Sequence, residues 1–176
     1  MKPDRVASDL EQFLAERGAP LLRSAVLLTG SREAGEDLLQ AALERLLRRW
    51  RAIDGSLEPY LRRTLYNLAA DGWRRQRMSR RRLGLLTRSQ DRVAPDAVAE
   101  VDLRDSLVRL LLQLPPRQRA VLVARYWEQL TEAETASALG CSVGAVKSSA
   151  SRGLSKLREL SLADGPEHQP VKERTV

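Results

Sequence analysis

The side chains best equipped for covalent or acid–base chemistry are almost missing from this chain. Its 176 residues include one cysteine, Cys141, and one histidine, His168. One cysteine allows no internal disulfide and no thiolate metal cage, and one histidine in a polar tail leaves a hydrolase triad or zinc site without material. Asp37 and Gln40 fall on one helical stripe. Acid–base catalysis would need a pocket and a second partner beside them, and the pattern indicates neither. No catalytic residue, metal or cofactor is expected, and an enzyme acting on nucleic acid is the weakest reading.

What remains is recognition chemistry. From Arg62 to Arg82 there are eight arginines (62, 63, 74, 75, 77, 80, 81 and 82) against one acid, Asp71. Tyr60, Tyr66, Asn67 and Trp73 stand beside or within this run. Guanidinium groups neutralise phosphates, aromatic rings stack on bases, and an exposed amide can bond a base edge. The combination suits single-stranded or partly melted nucleic acid better than duplex alone. Tyr60 and Tyr66 would serve equally well in a core. A second group, Lys147, Ser148, Ser149, Ser151 and Arg152, is expected on the outer face of a helix, where hydroxyls and cations reach phosphates or base edges in a major groove. The net charge of +7 and pI near 10.3 favour a polyanionic partner, although a solvated basic surface would give the same sum.

The elements that must hold these groups read as helices throughout. Leu, Ala and Arg dominate and aromatics make up only 4%, too few for a sheet protein. Apolar spacing predicts helical sequence over 9–29, with Gly18, Ala19 and Pro20 dividing it into two helices, then a helix over 36–50 after a Ser31 cap. A turn at 53–56 leads to a third helix capped by Ser56, with Pro59 in its first turn. Further helices are expected over 101–114, from Pro116 to Trp127, over 132–139 and over 143–160. The expected architecture is all-α: two small helical domains, 5–83 and 101–161, joined by a linker at 84–100 and followed by a polar tail at 162–176. No apolar run reaches the roughly 20 residues needed to span a membrane, and no signal-peptide core is visible, so no membrane insertion and a cytoplasmic setting are expected.

The strongest local pattern is a helix-turn-helix. Thr131 and Glu134 form a Thr-x-x-Glu capping box, Ala136 is small enough for a close crossing, and Gly140 occupies the turn. Ser142 can cap the second helix, with Val143 and Val146 expected to pack back on Ala136 and Leu139. Cys141, in the turn, reads as a small hydrophobe. An ordinary helical hairpin is the plainer alternative.

Glu36-Asp37-Leu38-Leu39-Gln40, Trp50 and Tyr60-Leu61-Arg62-Arg63-Thr64-Leu65-Tyr66-Asn67, with Arg74-Arg75, resemble the first domain of extracytoplasmic-function (ECF) sigma factors. Leu114-Pro115-Pro116-Arg117-Gln118-Arg119, Arg125-Tyr126-Trp127-Glu128, Thr131-Glu132-Ala133-Glu134 and Val146-Lys147-Ser148 resemble their promoter-reading second domain. Leu27-Leu28-Thr29-Gly30-Ser31 and the arginine richness are similar to the actinobacterial sigma-E-like subgroup. The resemblance implies a non-catalytic factor that binds core RNA polymerase and promoter DNA, both duplex and melted non-template strand. Asp37, Gln40 and Ala41 would dock on the clamp coiled coil of the largest subunit, with Ala41 standing where relatives often place an acid. Tyr60, Arg63, Asn67, Arg74 and Arg75 would engage the minus-ten element. Lys147, Ser148, Ser149, Ser151 and Arg152 would read the minus-thirty-five duplex, Ser149 standing where many relatives carry a longer side chain. An anti-sigma factor is a partner the family often has. Two rivals use only half of these features: a simple duplex-binding regulator needs only the helix-turn-helix, and an RNA-binding adaptor only the basic helix.

Overall fold

The computed structural model describes residues 3–53, 56–82 and 103–163. Among them every regular element is a helix: α1 (Pro3–Thr29), α2 (Arg32–Arg49), a short 3₁₀ turn (Trp50–Ala52), α3 (Leu57–Arg82), α4 (Leu103–Leu112), α5 (Pro116–Leu122), a π-helical turn (Val123–Trp127), α6 (Glu132–Leu139) and α7 (Val143–Ala163). The expected linker lies wholly outside the described residues, as does the tail beyond Ala163.

Most boundaries follow local chemistry. Ser31 accepts a hydrogen bond from the Ala34 amide at 3.2 Å and caps α2, whose last turn carries Arg48 and Arg49 against the helix dipole. Pro116 opens α5 at a position where its missing N–H is no loss. The expected break at Gly18–Pro20 is absent: α1 runs through Pro20. Ala19 and Pro20 lie on the exposed face, where water can satisfy the carbonyl left without a donor, while Leu21, Ser24, Ala25 and Leu28 on the other face are buried. Packing of that face carries the helix through the proline. The single helix expected from Pro116 to Trp127 changes winding at Val123, and α7 continues to Ala163.

Leu21, Ala25 and Leu28 of α1, Ala42 and Leu46 of α2, and Leu61, Leu65 and Leu68 of α3 form the core of the first three helices. Each fully buried leucine contributes about 1.5–3 kcal/mol relative to exposure. The same apolar cluster continues through Leu111, Leu114, Ala120, Leu122, Val123 and Ala124. The two helical units are therefore packed on one another. A smaller cluster of Val121, Ala136 and Val146 knits the helix-turn-helix to α5.

Candidate nucleic-acid interface

The helix-turn-helix is built by its caps. Thr131 Oγ1 accepts from the Glu134 amide at 3.2 Å, and the Glu134 carboxylate accepts from the Thr131 amide at 2.7 Å. These bonds, first the Thr131 hydroxyl and then its amide, hold the Glu134 carboxyl below its ordinary value. Gly140 ends α6 at φ 60°, ψ 44°, a left-handed geometry that strains any residue with a Cβ. Ser142 Oγ accepts from the Ala145 amide at 3.2 Å and starts α7. Val146 is buried against Ala136, as expected, whereas Val143 is exposed.

Lys147, Ser148, Ser151 and Arg152 all face outward on α7. Arg152 Nε donates to the Ser148 carbonyl at 3.1 Å, which lays the guanidinium along the helix surface, and Lys147 lies 3.5 Å from Glu132. Ser149 does not join them. It is 4% exposed, because on this helix it shares the inward face with Val146 and Gly153, and its expected outward placement is corrected.

The basic helix α3 divides its groups by face. Arg63, Asn67, Arg74 and Arg75 are exposed, and Tyr60 is half-buried. Tyr60, Arg63, Thr64 and Asn67 line a cleft of about 590 Å³ with Arg45, Arg48 and Arg49 from α2. Among the described residues no carboxylate lines it. Arg48 lies 3.5 Å from Glu44, and Arg45, Arg49 and Arg63 have no ion-pair partner among the described residues. Sequence reasoning missed the α2 arginines as part of this site. Their 45/48/49 spacing was the available signal, but only folding sets that side of α2 against α3. Arg74 instead pairs with Asp71, one turn back.

Asp37 and Gln40 are exposed on α2 and Ala41 is half-buried beside them. Gln40 Nε2 donates to Glu44 Oε1 at 3.4 Å, so the polar stripe runs into the arginine wall of the cleft on one rigid helix.

Two of the rings weighed for base stacking lie elsewhere, and for Tyr66 the core alternative is the one the structure takes. Tyr66 is 1% exposed, and its hydroxyl donates to Glu128 Oε1 at 3.1 Å. Burial first, and then the charge of Glu128, push its pKa well above the ordinary value. Trp73 is half-buried, with the Arg119 guanidinium 5.7 Å from its ring centroid.

Residues 14–78 match the family model described as Sigma-70 region 2, and residues 104–157 match Sigma-70, region 4. The chain is 38% identical over 157 residues to the RNA polymerase sigma-E factor of Streptomyces coelicolor, spanning 88% of this chain and 87% of that protein. It is 32% identical to the ECF RNA polymerase sigma factor SigG of Mycobacterium tuberculosis, spanning 89% of this chain and 52% of that protein. In fold it is similar to the sigma factor RpoE solved in complex with the anti-sigma factor NepR from Bartonella quintana, at a TM-score of 0.70 and 23% identity over 89% of this chain and 99% of that one.

Proposed function

The chain belongs to the extracytoplasmic-function branch of the sigma-70 family of RNA polymerase sigma factors, and on that premise we propose how its surfaces divide the work of transcription initiation. As a sigma factor it binds core RNA polymerase and directs it to promoters. Asp37, Gln40 and Ala41 form the docking face for the clamp coiled coil. Ala41 brings no charge to that contact, so Asp37 carries the electrostatic part.

The observation that carries the minus-ten assignment is the cleft between α2 and α3, walled by Arg45, Arg48, Arg49 and Arg63 and floored by Tyr60, Thr64 and Asn67. A concave surface with one sign of charge draws in a polyanion, and an amide beside a ring can read one unstacked base. Taking that base from the duplex costs a few kcal/mol, which the base contacts and phosphate neutralisation must offset. Arg74 and Arg75 extend the phosphate track along α3. Lys147, Ser148, Ser151 and Arg152 read the minus-thirty-five duplex from the major groove, and Ser149 supports them from inside.

The division into a region 2-like domain at 5–83 and a region 4-like domain at 101–161, the cytoplasmic setting and an anti-sigma partner belong to the same proposal. RNA synthesis is left to the core enzyme. The test is Asn67→Ala. It impairs promoter opening, read by permanganate reactivity of unpaired thymines, more than it impairs binding to core. Equal loss of both contradicts the role given to Asn67.

A further inference from the structure

The sequence pattern sets Val143 and Val146 together against Ala136 and Leu139, but α7 separates them. Val146 is fully buried, whereas Val143, the first residue of α7, is 40% exposed. Three residues turn the helix by about 300°, which points one valine inward and leaves the other at the edge of the outward face. Lys147 lies one turn further along that edge, and Ser148, Ser151 and Arg152 continue the outward arc. The other side chains of the arc are hydroxyls and cations. In water the methyls of Val143 gain nothing, whereas against an apolar group they do.

Its neighbour Gly144 is exposed as well, and a Cβ built there meets nothing within 4 Å. The φ of Gly144 is not positive, so neither backbone geometry nor packing calls for glycine at this place. Glycine in a helix costs stability relative to alanine. What it supplies is a bare Cα, which lets a ligand surface come closer to the start of α7.

We infer that Val143 recognises thymine in the minus-thirty-five element, its methyls packing on the 5-methyl group of the base while Gly144 admits the groove edge. The inference rests on the assignment of α7 to that duplex. The second helix of this motif meets base edges with its N-terminal residues, so Val143 reaches deepest. From Val143 to Arg152 is about 14 Å along the helix axis, the length of roughly four base pairs. Hydroxyls accept or donate at several base edges, and cations go to guanine or to phosphate. None of these detects thymine as such. Its methyl is the apolar group that the major groove displays, and Val143 is the apolar side chain that α7 presents at its leading end.

The test is promoter binding by holoenzyme, formed from core polymerase and the full chain. The probes are duplexes whose minus-thirty-five thymines are replaced one at a time by deoxyuridine, which keeps the hydrogen-bonding edges and loses only the methyl. With the native protein at least one position loses about fourfold in affinity, the worth of one buried methyl-sized group. Val143→Ala loses about as much on the thymine duplex and no longer distinguishes thymine from uracil there, with an unchanged thermal midpoint. Gly144→Ala raises the thermal midpoint yet weakens binding to both duplexes. Native holoenzyme that binds thymine and uracil equally at every position overturns the inference, and so does an element without an A·T pair. A Val143→Ala protein that keeps the native preference for thymine overturns it too, as does Gly144→Ala with native affinity. The two assignments fail differently. If scrambling the whole element leaves affinity unchanged, α7 does not read the duplex and both fall. If scrambling weakens binding while the uracil series is flat, only the role of Val143 falls.

Discussion

Tyr66 and Asn67 are neighbours in sequence with opposite surroundings, one buried against Glu128 and the other open to solvent above the arginine cleft. About 100° of helical turn separates them, enough to turn one side chain inward and the next outward. The buried phenol carries a pH signature. Its pKa is raised in the folded chain, so its stabilisation is complete below the unfolded value near 10.0 and is lost as pH rises toward the folded value. Tyr66→Phe should therefore flatten the fall of thermal midpoint between about pH 9.5 and 11.5. A slope equal to that of the parent protein would contradict the environment described for Tyr66. Ser149 gives a second residue-scale test. Ser149→Arg should cost about 1–3 kcal/mol by overpacking the inward face of α7, whereas Arg152→Ala should weaken minus-thirty-five binding and leave the thermal midpoint in place. Urea denaturation and a binding titration separate the two outcomes. Composition showed which residue types could meet nucleic acid. It could not show that Tyr66 and Trp73 are turned to the domain boundary, because their partners Glu128 and Arg119 lie tens of residues away.

At the scale of the element, the helix-turn-helix was the most legible part, since caps and turn are written within a few residues. Thr131, Glu134, Gly140 and Ser142 each take the place their chemistry requires. Thr131→Ala should cost about 1 kcal/mol through the lost cap, and Gly140→Ala about 1–2 kcal/mol through the left-handed backbone, both read by urea denaturation. No change at Gly140 would mean that the turn relaxes. α1 was the least legible. Pro20 signals a break locally, but burial of Leu21, Ser24, Ala25 and Leu28 outweighs one lost backbone bond. Since Pro20 is exposed, Pro20→Ala should raise the thermal midpoint. The α2 stripe was visible as polar, yet its continuation into the cleft depends on how α2 crosses α3, which helical periodicity does not specify.

For the whole molecule, Arg45, Arg48, Arg49 and Arg63 gather positive charge in the cleft proposed to take melted DNA. Removing Arg45 and Arg49 together should lower the salt slope of single-strand binding by the holoenzyme by about 1.4, near 0.7 for each phosphate released. An unchanged slope would remove α2 from the DNA track. All-helical architecture and two-part order could be read from the sequence. The packing of the two parts into one continuous core could not, because it arises from contacts such as Arg119 to Leu28 that bridge both halves of the chain. The central claim concerns the assembled system: this chain gives core RNA polymerase its promoter specificity. Run-off transcription with a cognate core enzyme, on templates selected from genome-wide start-site mapping, tests it most directly. Discrete transcripts that require this protein and both promoter elements are the predicted result, and transcription that does not change on adding the protein would contradict it.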